Sequence, residues 1–257
     1  MVPRLYVPSL ASGARVLTLP ADEGDHLRRV LRAKAGWAVR VFDGRGAEYE
    51  ARVAAIGRDG VSVEVGDAVA AAAECRVRVT LAQAVLKGEK IDAVIRDAVM
   101  MGVAAVQPVL TDRTDVPASA FDHGGRTGRW RRIAIASVKQ CGRAVVPEIH
   151  PPLSLRACLD AHRCEAGVVL VEPSAAGRAP ETGSVPRGPA SALVIVGPEG
   201  GWEPDEVAKA VRAGCVPMTL GPRTLRADAA PIVALSVLMQ YWGELPDPGG
   251  RGLRTGD

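Results

Sequence analysis

The stretch VIVGPEGGWEPDEV, residues 194–207, decides how the second half of this chain folds. Leu193 to Val196 form an apolar run short enough for a buried strand. The run leads into Gly197, Pro198, Glu199, Gly200 and Gly201. Pro204 then stands at the first position of a helix, with Asp205 and Glu206 beside it. A helix start has no use for the N–H that proline lacks, and carboxylates suit the positive end of the helix dipole. The order is therefore strand, glycine loop, helix. One glycine suffices for such a turn. Three allow the backbone to approach a ligand with its N–H groups free, or simply a tight turn that seats the helix on the sheet. The stretch alone leaves both open.

The pattern repeats on either side. GVVLVEP (167–173) is another short apolar run, and both runs suit central strands of a parallel sheet. CVPMTL (215–220) predicts the last strand, and LGPRTLRADAAP (220–231) again leaves through a glycine and enters a helix. Two such loops at the carboxyl ends of neighbouring strands would enclose a crevice of the kind in which open α/β sheets bind ligands. Neither loop is a P-loop or a GxGxxG fingerprint, and Glu199 would repel a phosphate. Upstream, RVRVTLAQAV and VAAVQPVL read as strands. Ile91, Val94, Ile95, Ala98 and Met101 fall at helical spacing, closed by Gly102, and Trp130, Ile133, Ala134, Ser137 and Cys141 mark a further helix. Residues 174–191, rich in Ala, Gly and Pro, read as a mobile surface loop. Residues 231–242 form a helix apolar nearly all round, which places it in the core or in a subunit interface.

Before residue 66 the texture is different. AVRVF, EYEARVAAI and VSVEV alternate with period two and are separated by Asp43-Gly44 and Asp59-Gly60, the hairpin signal of a β meander. A short helix, 26–32, precedes them, with Asp25 as N-cap and Leu27, Val30 and Leu31 facing inward. The sequence thus predicts a small β-barrel domain (1–70), an α/β domain with a parallel sheet (75–245) and a disordered tail (246–257).

Five scattered cysteines (Cys75, Cys141, Cys158, Cys164, Cys215) form no CxxC pair, and the four histidines form no HExxH. The amino terminus lacks the apolar core of a signal peptide, and no long uncharged apolar run is present. The expectation is a reduced, cytoplasmic protein without metal or membrane span. The net charge of +3 is small, but its distribution is uneven. Arg28, Arg29, Arg32, Lys34 and Arg40 lie in one segment, and Arg126, Arg129, Arg131, Arg132, Lys139 and Arg143 in another. Such clusters are either a polyanion footprint or solvated helix faces.

VGPEGGWEPDEV and LGPRTLRADAAP, in this order and spacing, resemble the two cofactor loops of SPOUT methyltransferases, and more narrowly those of the ribosomal RNA small subunit methyltransferase E family. HLRRVLRAKAGWAVRVFDGRGAEYEA resembles that family's PUA-like domain, and LKGEKIDAVIRDAVMMGV, TDRT and KQCGRAVVPEI its central segments. The resemblance runs from about residue 2 to residue 243. It implies a SPOUT-type parallel sheet with a C-terminal trefoil knot, preceded by a small PUA-like β-barrel. It implies a homodimer that uses S-adenosylmethionine to methylate N3 of a uridine in 16S rRNA of the small ribosomal subunit. Several positions depart from the family pattern. Arg226-Ala227-Asp228-Ala229-Ala230 replaces the usual Arg-Thr-Glu-Thr-Ala. Asp97 and Met100 stand for Lys and Glu, and Lys139 for an acidic residue.

On this resemblance the cofactor would meet Leu170, Glu172, Val196, Gly197, Glu199, Gly200, Gly201, Leu220, Gly221, Arg223, Leu225 and Arg226. Adenine would sit near Leu220 and Leu225, and Glu199 or Glu172 would accept ribose hydroxyls. Arg226 would stabilise the developing imidate. Asp228 would orient that guanidinium or cap the last helix. No residue stands out as a general base, and His26 reads as structural. Arg4, Arg28, Arg29, Arg32, Arg129, Arg132 and Arg143 would grip RNA phosphates. Three other readings remain open at this stage: an RNA-binding assembly factor without catalysis, a SPOUT enzyme for a different rRNA or tRNA base, and a small-molecule α/β enzyme.

Overall fold

The computed structural model describes residues 2–11, 13–58, 60–121, 125–176 and 184–246. The chain divides into two compact units. The first comprises residues 1–74 and also takes in 135–146, which the sequence reading had assigned to the second; the second comprises 75–134 and 147–257.

The first unit is built on five strands, β1 (Arg4–Tyr6), β2 (Val16–Thr18), β3 (Ala38–Phe42), β4 (Glu48–Gly57) and β5 (Gly60–Ala68), in the order β1-β3-β4-β5-β2. Only the β1–β3 pair is parallel. Alternation in β3 and β4 turns Val39, Val41, Ala51 and Val53 onto a core with Leu5, Leu27 and Val63. Two register shifts in the β4–β5 pair, of the kind that bends strands, help to curl the sheet about that core. The Asp43 carboxylate, itself buried, organises the β3–β4 turn by accepting from the N–H groups of Arg45 and Ala47.

The helical segment differs from the expectation. α1 (Ala21–Asp25) begins five residues earlier and runs into a π-helical turn, His26–Val30. Asp25 lies inside the helix, caps nothing, and pairs with Arg28. In a π turn each N–H reaches five residues back, as Leu31 does to His26, so the 3.6-residue spacing is lost. Leu27 is buried, but Val30 is 66% exposed.

Two of the arginines expected on RNA are structural. The Arg4 guanidinium makes two hydrogen bonds to Glu48 (2.9 and 2.7 Å) and donates to the carbonyls of Val138, Lys139, Gly142 and Arg143. Glu48 and the Arg143 side chain are both buried, and Arg143 is bound to Glu74. A buried charge of either sign, Glu48 in one pair and Arg143 in the other, demands a paired, hydrogen-bonded partner, so these two arginines are unavailable to phosphate. The same logic accounts for Lys139, which departs from the family pattern. Its ammonium donates to both oxygens of the buried Glu23 at 2.9 and 2.7 Å.

In the second unit β6 (Arg78–Ala84), β7 (Ala105–Leu110), β8 (Glu148–Ile149), β10 (Ala166–Leu170), β11 (Ser191–Val196) and β12 (Cys215–Met218) form a parallel sheet in the order β12-β10-β11-β6-β7-β8. The short β9 (Leu153–Ser154) also pairs with β7. α2 (Lys90–Met100) buries Ile91, Val94, Ile95 and Ala98, as its spacing predicts. α3 (Gly125–Cys141), which from residue 135 onward belongs to the first unit, buries Trp130, Ala134 and Ser137. α4 (Leu155–Ala161) starts at a Ser154 cap, and α5 (Pro173–Ala176) is a single turn. α6 (Pro204–Arg212) carries a capping box in which the Glu203 and Glu206 side chains each accept from the other's backbone N–H. α7 (Ala230–Tyr241) packs against α2 and β11, and turns Ala234, Leu235, Leu238 and Met239 into the core.

Of the loop read at 174–191, residues 177–183 lie outside the described residues. Its last part is tied down: the Tyr241 hydroxyl donates to the Val185 carbonyl and the Trp242 indole to that of Pro186. The tail read as disordered lies, beyond Pro246, outside the described residues. Among the described residues no helix is long and apolar enough to cross a membrane.

One polar link in this sheet makes stability depend on pH. His162 Nε2 lies 3.0 Å from Oε1 of the buried Gln107, whose amide donates to the carbonyls of Pro108 and Pro151. The Gln oxygen only accepts, so the imidazole is the donor. Burial, with a smaller contribution from the neighbouring His150, lowers the His162 pKa below its ordinary 6.5. The unfolded chain therefore takes up this proton at higher pH than the folded one. The stability involved is present above about pH 6.5 and is lost as pH falls through the lowered value. A His162→Gln variant, whose amide can still donate to Gln107, should show a flatter melting temperature between pH 7 and 5. An unchanged slope would show that His162 does not carry the dependence.

Candidate functional site

Because β10, β11 and β12 are parallel, their carboxyl ends lie on one side of the sheet, with Val169 opposite Ile195 and Leu170 opposite Met218. The two glycine loops leave from β11 and β12, which are not neighbours: β10 runs between them. Residues 171–173, which follow β10, therefore join the two loops in lining a single cavity of about 490 Å³. Leu170, Val196, Leu220 and Leu225 give it apolar walls, and Lys90, Glu172, Glu199, Arg223, Arg226 and Asp228 bring charge to it.

Ten of the twelve residues expected around a cofactor line this cavity: Leu170, Glu172, Val196, Gly197, Glu199, Gly201, Leu220, Arg223, Leu225 and Arg226. Gly200 and Gly221 do not. The glycines also meet demands of the protein around them. A Cβ on Gly197 would stand 2.9 Å from the Trp202 ring, so this glycine makes room for the indole. A Cβ on Gly200 would meet that of Arg113 at 3.1 Å. Gly201 and Gly221 have φ of +72° and +93°, backbone that L side chains rarely adopt.

Side chains that the sequence reading missed hold the loops in place. The Trp202 indole donates to the Leu170 carbonyl at 2.7 Å and so ties the loop after β11 to the end of β10. Arg113 donates to the Gly200 carbonyl and to Glu203, each at 2.8 Å. Lys90, at the start of α2, also lines the cavity and contacts Glu199 at 3.0 Å. Glu199 accepts a bond from the Lys87 N–H as well, so it reaches the cavity as half of an ion pair. Trp202 stands inside the quoted motif, and Lys90 and Arg113 stand in LKGEKIDAVIRDAVMMGV and TDRT, where the resemblance gave them no individual role.

The structure answers the question about Asp228. The N-cap position of α7 is Ala229, with no side-chain cap. Asp228 instead accepts from Nε of Arg226 at 3.2 Å, and that hydrogen bond holds its carboxyl below the usual range. Arg226 is thereby steered by its neighbour while its side chain stays 75% exposed. Among the described residues its Nη groups have no partner, so they are available to an acceptor.

The chain that forms this cavity matches a known family. Residues 73–239 match the RNA methyltransferase domain and residues 19–66 the RNA methyltransferase PUA domain. The chain belongs to the RNA methyltransferase family. Within that family it is 31% identical over 246 residues to ribosomal RNA small subunit methyltransferase E of Mycobacterium tuberculosis, with 92% of each chain covered. It is 30% identical to that of Synechocystis, over 86% of this chain and 71% of the relative. Among solved structures, the methyltransferase E of Neisseria gonorrhoeae bound to S-adenosylmethionine superposes with a TM-score of 0.84 at 30% identity, covering 94% of this chain and 98% of that one. A Legionella pneumophila methyltransferase with the cofactor SAM bound gives 0.83 at 28%, covering 93% and 98%.

Proposed function

We propose that this RNA methyltransferase transfers the methyl group of S-adenosylmethionine to N3 of a uridine in small-subunit rRNA. The observation that carries the reading is the cavity. It is enclosed by the ends of three parallel strands and lined by the Arg226–Asp228 pair, in a chain whose relatives are methyltransferase E enzymes and structures with that cofactor bound.

The residues present suit the cofactor. The cavity falls within the range of small-ligand sites. Its leucines offer apolar walls to an adenine, and Glu172, free of ion pairs among the described residues, offers acceptors to ribose hydroxyls. Bound there, S-adenosylmethionine supplies an electrophilic methyl on its sulfonium. The protein must then make the uracil nitrogen nucleophilic. Its imide proton leaves about two to three pH units above neutrality, a cost of roughly 3–4 kcal/mol. Arg226 offsets that cost by donating to a uracil carbonyl oxygen as negative charge builds on the imide. Asp228 limits the rotation of the guanidinium, so little reorganisation is needed. Arg28, Arg29, Arg32 and Arg132 are exposed and suited to phosphates. Arg129 is held by Glu89 and Asp92, which reduces its share.

The knotted path belongs to this proposal: after β12 at the sheet edge, the chain returns to pack α7 on β11 and α2. So does a homodimer, for which α7 leaves Val237 49% exposed on an otherwise apolar helix. A ribosomal substrate would place the protein in the cytoplasm. Val237→Glu should shift the assembly to monomers by light scattering, and a wild-type monomer at working concentration would refute the dimer. The function itself is tested by mass spectrometry of nucleosides from small-subunit rRNA incubated with enzyme and cofactor. N3-methyluridine is the expected product. Methylation of another base, or none, would overturn the reading.

A further inference from the structure

The segment from His26 to Phe42 holds five cations, Arg28, Arg29, Arg32, Lys34 and Arg40, and no carboxylate. Arg28 and Arg29 lean on Asp25, and Arg40 lies 4.0 Å from Glu48. Arg32 and Lys34 have no ion pair or side-chain hydrogen bond among the described residues. Beside them stands Trp37, 42% exposed. None of the ring pairs or cation–ring contacts among the described residues includes it, and its indole N–H has no partner there.

The backbone beneath this ring is firmly held. The Trp37 N–H donates to the Lys34 carbonyl at 3.1 Å, which closes a turn across both residues. Gly36 donates to Val53 at 2.7 Å, and Val53 to Trp37 at 2.9 Å, which fastens the turn to β4. The Arg52 guanidinium donates to the Gly36 carbonyl. Arg32 itself takes a left-handed φ of 50° where the helical turn ends, a conformation that usually falls to glycine. The aromatic is held on a fixed backbone with 42% of its surface in water, next to two unpaired cations. It has the components of a single-strand site: a flat apolar face for a nucleobase and charges for the phosphates beside it.

We propose that Trp37, with Arg32 and Lys34, is a stacking platform for an unpaired nucleotide of the rRNA substrate. The inference rests on the rRNA methyltransferase reading and adds to it a contact outside the cavity. The bases of a duplex are already stacked on each other, so the platform selects a loop, bulge or end. The exposed apolar residues of the segment, Val30 and Trp37, are interleaved with cations, which suits RNA better than an apolar protein partner.

The test is equilibrium binding of the full chain to a single-stranded RNA oligonucleotide, and to a duplex of the same sequence, over a range of salt. Trp37→Ala should weaken single-strand binding about 5- to 150-fold, leave duplex binding nearly unchanged, and leave the salt slope intact, because stacking releases no counterions. Trp37→Phe should retain most of the affinity. Lys34→Ala, and Arg32→Gly, which keeps the left-handed backbone, should each lower the slope by about 0.7. Cofactor affinity by calorimetry and melting temperature should match the wild type in all four. Wild-type single-strand affinity in Trp37→Ala, an equal loss on duplex, or a wild-type protein that binds no single strand would overturn the platform. If the wild type shows the platform's binding pattern but transfers no methyl group, the functional reading falls and the platform stands.

Discussion

Arg226→Ala is expected to lower the rate of methyl transfer about a hundred- to a thousand-fold, measured in a single turnover with RNA and cofactor both saturating. The guanidinium lies in the loop that lines the cavity and is held through Nε by Asp228. A donor already oriented when charge develops acts mainly on the transition state, and losing it costs about 3–4 kcal/mol. The rival view gives Arg226 only a grip on RNA phosphate. The two differ kinetically, since saturation rescues a binding defect and leaves a transition-state defect in place. Arg226→Lys should recover only part of the rate, because an ammonium cannot present two parallel donors or keep the Nε bond to Asp228. If the alanine variant transfers methyl at the wild-type rate under saturation, Arg226 belongs with the RNA-binding residues.

Gly197→Val should reduce S-adenosylmethionine affinity about a hundredfold and also lower the melting temperature. A side chain at position 197 would enter the space of the Trp202 indole, where even a single Cβ would be 2.9 Å from the ring. The indole would have to leave, and with it the 2.7 Å bond to the Leu170 carbonyl that joins two walls of the cavity. Truncating a packed tryptophan costs about 3–5 kcal/mol; displacing a half-buried one should cost somewhat less. Trp202→Phe serves as the milder control: an aromatic ring stays in the site, while the indole's second ring and its hydrogen bond to Leu170 are lost, the bond alone being worth about 1 kcal/mol. Titration calorimetry and thermal unfolding of the two variants separate these effects. Wild-type cofactor affinity in Gly197→Val would show that the walls do not depend on Trp202.

These residues also mark where local reading of the chain succeeds and where it stops. Position 226 is singled out by the resemblance of its loop to a family's cofactor loop, and the fold brings it to the cavity. The partner of Asp228 was open, since a cap and an ion pair both lie within two residues of it. The glycines of 197–201 are visible as a cluster, but Gly197 and Gly200 make room for Trp202 and for Arg113, and Arg113 is more than eighty residues away. Lys90 escaped notice because it reaches the cavity from the start of another helix.

Legible along the chain were eight of the strands, β3 to β7 and β10 to β12, the two exits through glycine, the buried stripe of α2 and the proline-led start of α6. Each of these depends on periodicity or on backbone chemistry within a few residues. That β10 lies between β11 and β12 follows from how the crossovers pack, which sets strand order in a parallel sheet and leaves no local mark. The fold also turns Arg4 and Arg143 onto Glu48 and Glu74 while Arg28, Arg29 and Arg32 keep much of their surface in water. An arginine reads the same in sequence whether it faces solvent or a carboxylate. Its role is set by which member of the pair the fold buries, the carboxylate in Glu48 and the guanidinium in Arg143, since either buried charge must be neutralised by the group brought beside it.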